Sequence, residues 1–156
     1  MDTPLSMSAE LDSWNQGNGI DLKCWIGCSG NYSLAVGYIT IFWPEFKEVE
    51  GYILRKEISL DGIRELEQHE GSSRFYIEAN LNNDYLHTIH YLDCPDLSSD
   101  KLILLGNTLK KIYEAKLIAE FPDRPCTVNF HIPENQNDLE DYQISFWQKA
   151  HEIQNA

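Results

Sequence analysis

The sequence predicts an α+β domain: a mainly antiparallel β-sheet of about five strands, with one long helix over about residues 99–121 and one or two shorter helices packed on it. Three observations lead there. Segments of apolar alternation follow one another in runs, one long segment carries a helical stripe instead, and the regular strand–helix–strand rhythm of a parallel sheet is missing. A chain of 156 residues suits one domain, which at this length buries roughly 70% of its unfolded surface.

Residues 1–18 hold no sustained period, and Gly17-Asn18-Gly19 reads as a turn. They are expected as a flexible or weakly helical tail before a single globular domain over 19–156. From Ile20, the set Ile20, Leu22, Cys24, Ile26 and Cys28 alternates with Asp21, Lys23, Trp25 and Gly27, the period of a strand with one buried face. Ser29-Gly30-Asn31 supplies hairpin chemistry. Tyr32 to Trp43 is apolar at both parities, which predicts a central strand covered on both faces. Pro44, having no N–H for a ladder, stops it. Glu45 to Glu50 then turn the chain into a third strand, about Val49 to Lys56.

Ser59 is an N-cap candidate for a short helix, with Asp61 in its first turn, Ile63 and Leu66 at helical spacing and Gly71 as its stop. The segment SRFYIEANLNNDYLHTIHYL fits both periods: Phe75, Ile77, Ala79 and Leu81 alternate, while Ile77, Leu81 and Tyr85 share a helical face. The long helix begins near Ser99 and carries Leu102, Leu105, Leu109, Ile112, Tyr113, Leu117 and Phe121 along one stripe; Pro122 ends it. Gly106 within it costs about 1 kcal/mol of propensity. Two alternating strands close the chain, Cys126 to Ile132 and Tyr142 to Phe146, joined by the polar loop from Pro133 to Asp141.

The net charge of −13 opposes binding to nucleic acid, which needs clustered Lys and Arg, and favours encounter with a basic partner. The first residues, MDTPLSMSAELDS, lack the basic and apolar regions of a signal peptide. Tyr32 to Trp43 falls short of the roughly 20 apolar residues of a spanning helix. Four cysteines make no disulfide framework. The expectation is a cytoplasmic chain with reduced thiols, bound neither to membrane nor to nucleic acid.

Chemistry-bearing motifs are sparse. On a strand, Cys24 and Cys28 stand about 13 Å apart, too far to share a zinc ion, and are expected to fill a small apolar slot. His87 and His90 point to opposite faces of a strand but share a face of a helix, where Asp84 or Asp93 would stand near them; a metal role holds only under that alternative. No nucleophile elbow and no phosphate-binding glycine loop occurs, so no catalytic residue and no cofactor is assigned. Lys116 sits beside the apolar stripe as a snorkelling residue. In FPDRP, Asp123 and Arg124 occupy the turn after the long helix, where Arg124 either caps the turn or meets a partner's carboxylate.

FWPEF (42–46), EAKLIAEFPDR (114–124) and DYQISFWQ (141–148) together resemble a group of small bacterial proteins that combine such segments in this order. The resemblance spans most of the chain from about residue 35 and implies no activity. In the middle of the chain the group is expected to carry a helix with N-H-x-H.

These readings converge on a non-enzymatic acidic protein that binds another protein, as an inhibitor or immunity-type factor. Trp43, Glu45, Phe46, Asp123 and Arg124 are its candidate contact residues. Two alternatives stay open: a small metal-binding protein or enzyme using His87, His90 and nearby carboxylates, and a small-ligand pocket lined by Trp25, Trp43 or Trp147. Oligomeric state is not specified by the sequence.

Overall fold

Helix caps, not strand turns, organise the first third of the chain. In the computed structural model, which describes residues 3–90 and 94–152, α1 spans Leu5–Gly17, α2 spans Leu22–Ser29 and α3 spans Tyr32–Phe42. The strands expected at 20–28 and 32–43 are therefore helices. The deciding groups are Asp21 and Asn31, whose side chains accept from the Cys24 N–H at 2.7 Å and the Leu34 N–H at 2.9 Å. Each satisfies an orphan donor of a first helical turn. Gly30 closes α2 through its N–H to the Ile26 carbonyl, so Ser29-Gly30-Asn31 joins two helices and makes no hairpin. Pro44 follows the C-cap Trp43 and ends a helix, in a position where proline is common.

Residues 5–17, the expected tail, form a helix that leaves helical geometry at Trp14 and has Leu11 buried. The Ser6 N–H donates to Asp100 Oδ2 at 2.8 Å, and the Ser6 and Ser98 hydroxyls share a hydrogen bond.

The acidic segment expected to turn is itself a strand. β1 (Phe46–Val49) and β2 (Tyr52–Arg55) form an antiparallel hairpin whose central residues, Glu50 and Gly51, both have positive φ. That is the backbone of a type I′ turn, whose twist matches its strands. α4 (Leu60–Glu67) starts at Ser59 as its capping chemistry predicts. The ambiguous segment divides: Arg74–Leu81 is helix α5, Asp84–Tyr85 is the short strand β3, and Leu86–Ile89 is a 3-10 turn.

The long helix α6, Ser99–Glu120, packs on the face of a three-stranded antiparallel sheet, ordered β3, β5 (Gln143–Gln148), β4 (Cys126–His131). Leu102, Leu109, Tyr113 and Leu117 from α6 meet Val128, Ile144 and Phe146 from the sheet, with Ile53 of β2 joining them. Gly106 is where α6 and β4 approach: a Cβ there would stand 2.1 Å from the Phe130 ring. The residue that weakens the helix locally is the one that lets it seat. A second core cluster holds Tyr52, Leu54, Ile63 and Ile77. The architecture is α+β with one long helix, and its antiparallel strands lie in two sheets where one was expected. No described helix is long and apolar enough to cross a membrane.

Candidate functional site

The corner between α3 and β1 separates two aromatic residues that the sequence places almost side by side. Trp43 is 56% exposed, whereas Phe46 turns inward and packs edge-on against Phe146 and Tyr113, with ring centroids 5.0 and 5.8 Å away. Between them Pro44 is buried. Lys116, 5% exposed, lies behind both rings, its Nζ 4.7 Å from the Trp43 centroid and 5.8 Å from that of Phe46, and pairs with Glu120. The snorkelling lysine of the sequence is thus a buried support that holds an exposed indole through a cation–π contact.

The turn after α6 reaches the same corner. Arg124 Nη1 lies 2.9 Å from Glu48 Oε1 of β1, so it ties the turn to the hairpin. Asp123 is exposed. Glu45 is exposed and pairs with Lys56, whose hydrogen bond and charge hold its carboxyl below the usual range. Of the five candidate contact residues, Trp43, Glu45 and Asp123 face solvent, Phe46 belongs to the core, and Arg124 is engaged within the chain. The FWPEF and EAKLIAEFPDR segments, distant in sequence, meet here through Lys116.

His87 and His90 both line a pocket of about 100 Å³ with Cys94, Asp96 and Leu102. His90 Nε2 lies 2.7 Å from the Tyr38 hydroxyl, and among the described residues the buried His87 Nδ1 has no hydrogen-bond partner. Asp84 is taken by Arg55, whose Nη1 stands 2.5 Å from Oδ2. Asp93 lies outside the described residues. No group of three His, Cys, Asp or Glu side chains among the described residues is arranged to hold an ion.

Cys24 and Cys28 are exposed on α2 and fill no apolar slot. They sit one helical turn apart, so the strand spacing does not apply. Donation of a hydrogen bond to the Asp21 carboxylate, with the charge of that carboxylate, raises the Cys24 thiol. Trp25 Nε1 donates to Glu10 Oε1 at 2.8 Å; Trp147 packs edge-on to Phe75 and donates to Glu152 Oε1 at 3.0 Å. Trp43 instead lines a shallow groove of about 330 Å³ with Ala35, Tyr38, Ile39, Phe42 and Ile112.

Two features escaped the sequence reading. The first is a fully buried polar pair, Glu78 on α5 and Asn82 at its C-cap. Glu78 accepts from the backbone N–H groups of Ile53 and Gln148, from the Gln148 side chain and from His151 Nδ1, each at 2.7 to 2.8 Å. The second is the exposure of α2 and α3, neither of which has a buried residue. Their spacing of apolar residues was visible; that the described residues bury none of them fully was not. Comparison with family models, curated proteins and solved structures finds no match, so the group resembled in sequence assigns this chain to no family.

Proposed function

We propose that this is a non-enzymatic acidic protein of the bacterial cytoplasm that binds another protein, a basic one, as an inhibitor or immunity-type factor. The contact surface is the corner carrying Trp43, Glu45 and Asp123, with Phe46 and Arg124 shaping it from behind. One observation carries the reading: Trp43 is more than half exposed yet held over Lys116. An exposed indole fixed before binding loses little conformational freedom on contact, which is the property of an interface anchor. Acidic groups around it steer a cationic partner and are screened by salt.

The test is a titration of purified candidate partners, drawn from the native host and including basic proteins, against the wild type and W43A. Saturable binding that weakens tenfold or more in W43A, and that falls as salt rises, supports the reading. Saturable binding to no other protein overturns it.

A second reading draws on His87 Nδ1, which has no hydrogen-bond partner among the described residues, in the pocket shared with His90, Cys94 and Asp96. It makes the pocket a metal site. Metal analysis of protein purified without a histidine tag, with thermal melts in added zinc, manganese or iron, tests it. Neither bound metal nor a raised midpoint removes it.

A further inference from the structure

An acidic chain with an uncharged face raises a question of what that face meets. Between Lys23 and Glu45 the sequence has no Asp, Glu, Lys, Arg or His, although the whole chain carries a net charge of −13. Those residues form most of α2 and all of α3, and the apolar side chains Tyr32, Val36 and Ile39 of α3 and Trp43 at its C-cap are 92%, 65%, 58% and 56% exposed. Their spacing of four, three and four residues puts them on one stripe, the seam periodicity by which helices pack on helices.

The spacing reads the same from either end. In a two-fold contact residue i of one copy meets residue j of the other, and j meets i. An antiparallel pair of α3 helices therefore sets Tyr32 against Trp43 and Val36 against Ile39. The smaller side chains fall at the centre, where crossing helices come closest, and the aromatic ones fall at the ends, where crossing helices diverge.

We propose that α3 docks on α3 of a second copy of this chain, antiparallel about a two-fold axis, with Val36 opposite Ile39 at its centre. Charge selects the occupant. Two copies of an acidic protein repel each other except through a face without charges, whereas a basic partner would use the acids. A lipid surface fits poorly, since helices lying in membranes present Lys and Arg on their polar face and anionic headgroups repel this chain. Area allows it: with aromatic side chains at roughly 200 Å² each, the stripe Tyr32, Val36, Ile39 and Trp43 offers on the order of 500 Å² per copy, so the pair of copies reaches the roughly 1,000 Å² that a specific but weak interface needs. The inference goes beyond the corner's reading, and Trp43 stands where the two surfaces meet, so the test uses Val36 and Ile39.

Sedimentation measurements over a range of concentrations are expected to show a dimer for the wild type. Both side chains are exposed, so V36K and I39E should keep the wild-type circular dichroism, and should melt like the wild type once that is diluted to monomer, while weakening dimerisation tenfold or more. The double variant V36K/I39E should dimerise again, because the two-fold puts each new cation against a new anion. A wild type that is monomeric throughout overturns the proposal, as does a dimer untouched by I39E or a double variant that stays monomeric. A monomer that floats with neutral lipid vesicles also overturns it and gives the face to a membrane. A monomer that still binds a different protein through Trp43 sinks the dimer alone; a dimer with no other partner sinks the corner's reading alone.

Discussion

Glu78 on α5 and Asn82 at its C-cap, four residues apart, stand in for a missing strand between β2 and β5. Glu78 takes the N–H groups of Ile53 and Gln148, and Asn82 takes the Arg55 N–H at 3.2 Å while donating to the carbonyls of Ile53 at 2.9 Å and Phe146 at 3.2 Å. β2 shows α5 the edge that does not pair with β1, and β3 covers only the first residues of β5. Backbone groups buried along both edges thus find partners in two side chains, and the two sheets become one body.

N82A is therefore expected to destabilise far more than an ordinary polar truncation. It leaves three buried backbone groups without their side-chain partner, at about 1 to 3 kcal/mol for each that finds no substitute. A loss of about 3 kcal/mol or more in urea unfolding, with the slope unchanged, is the expected result. E78Q keeps an acceptor and should cost less than E78A, which leaves the Ile53 and Gln148 N–H groups unpaired. Equal losses for E78Q and E78A would show that the charge, not the backbone bonding, is what matters.

Gly106 makes a prediction against propensity. An alanine in the helix would gain about 1 kcal/mol, but its Cβ would stand 2.1 Å from Phe130. Overpacking of this kind costs about 1 to 3 kcal/mol. G106A should lower the melting midpoint, and G106A/F130A should be more stable than the sum of the single losses implies. Strict additivity would mean that the ring simply moves aside.

Asp100 gives α1 a pH-sensitive tether. Burial pushes its carboxyl up, but hydrogen bonds from the Ser6 N–H, the Ser98 hydroxyl and the Lys101 N–H outweigh it and hold the group down at about 2, against an ordinary 3.8. A depressed carboxyl contributes stability above its unfolded value and loses it as pH falls toward the folded one. The protection of the Ser6 amide, the slowing of its exchange relative to an unstructured chain at the same pH, should therefore be high at neutral pH and fall as pH drops from about 4 toward about 2. D100N should show little of this dependence.

Thiol chemistry separates the cysteines. Burial, with a smaller contribution from the Glu78 charge, pushes the Cys126 thiol up to about 12, whereas Cys24, Cys28 and Cys94 are exposed. The thiolate is the reactive form. In the native protein a chromogenic disulfide reagent should titrate three thiols near neutral pH, with Cys24 slower than its neighbours because Asp21 raises it. The fourth should appear only on unfolding.

Which parts of this were legible follows from where burial is decided. α6, β4 and β5 carry one-sided patterns long enough to declare their period, and they came out near their expected bounds. α2 and α3 are short and apolar, so periodicity could not separate buried strand from helix. The caps Asp21 and Asn31 held the answer locally. Glu78 and Asn82 could not have been singled out among so many polar residues, because their burial depends on two sheet edges distant in sequence.

The FWPEF segment shows the same limit at the site, and it yields the sharpest separation of binding from folding. Trp43 and Phe46 look equivalent in sequence, yet one contacts solvent and Lys116 while the other packs on Tyr113 and Phe146. W43A removes a cation–π contact worth about 0.5 to 1 kcal/mol and leaves Lys116 its pairing with Glu120, so unfolding should shift by about 1 kcal/mol at most. F46A opens the core and should lose about 3 kcal/mol or more. Partner binding should fall in W43A with the fold intact, while F46A should bind only as far as it remains folded. If F46A proves as mild as W43A, the segment is a surface element throughout and the division between anchor and core is wrong.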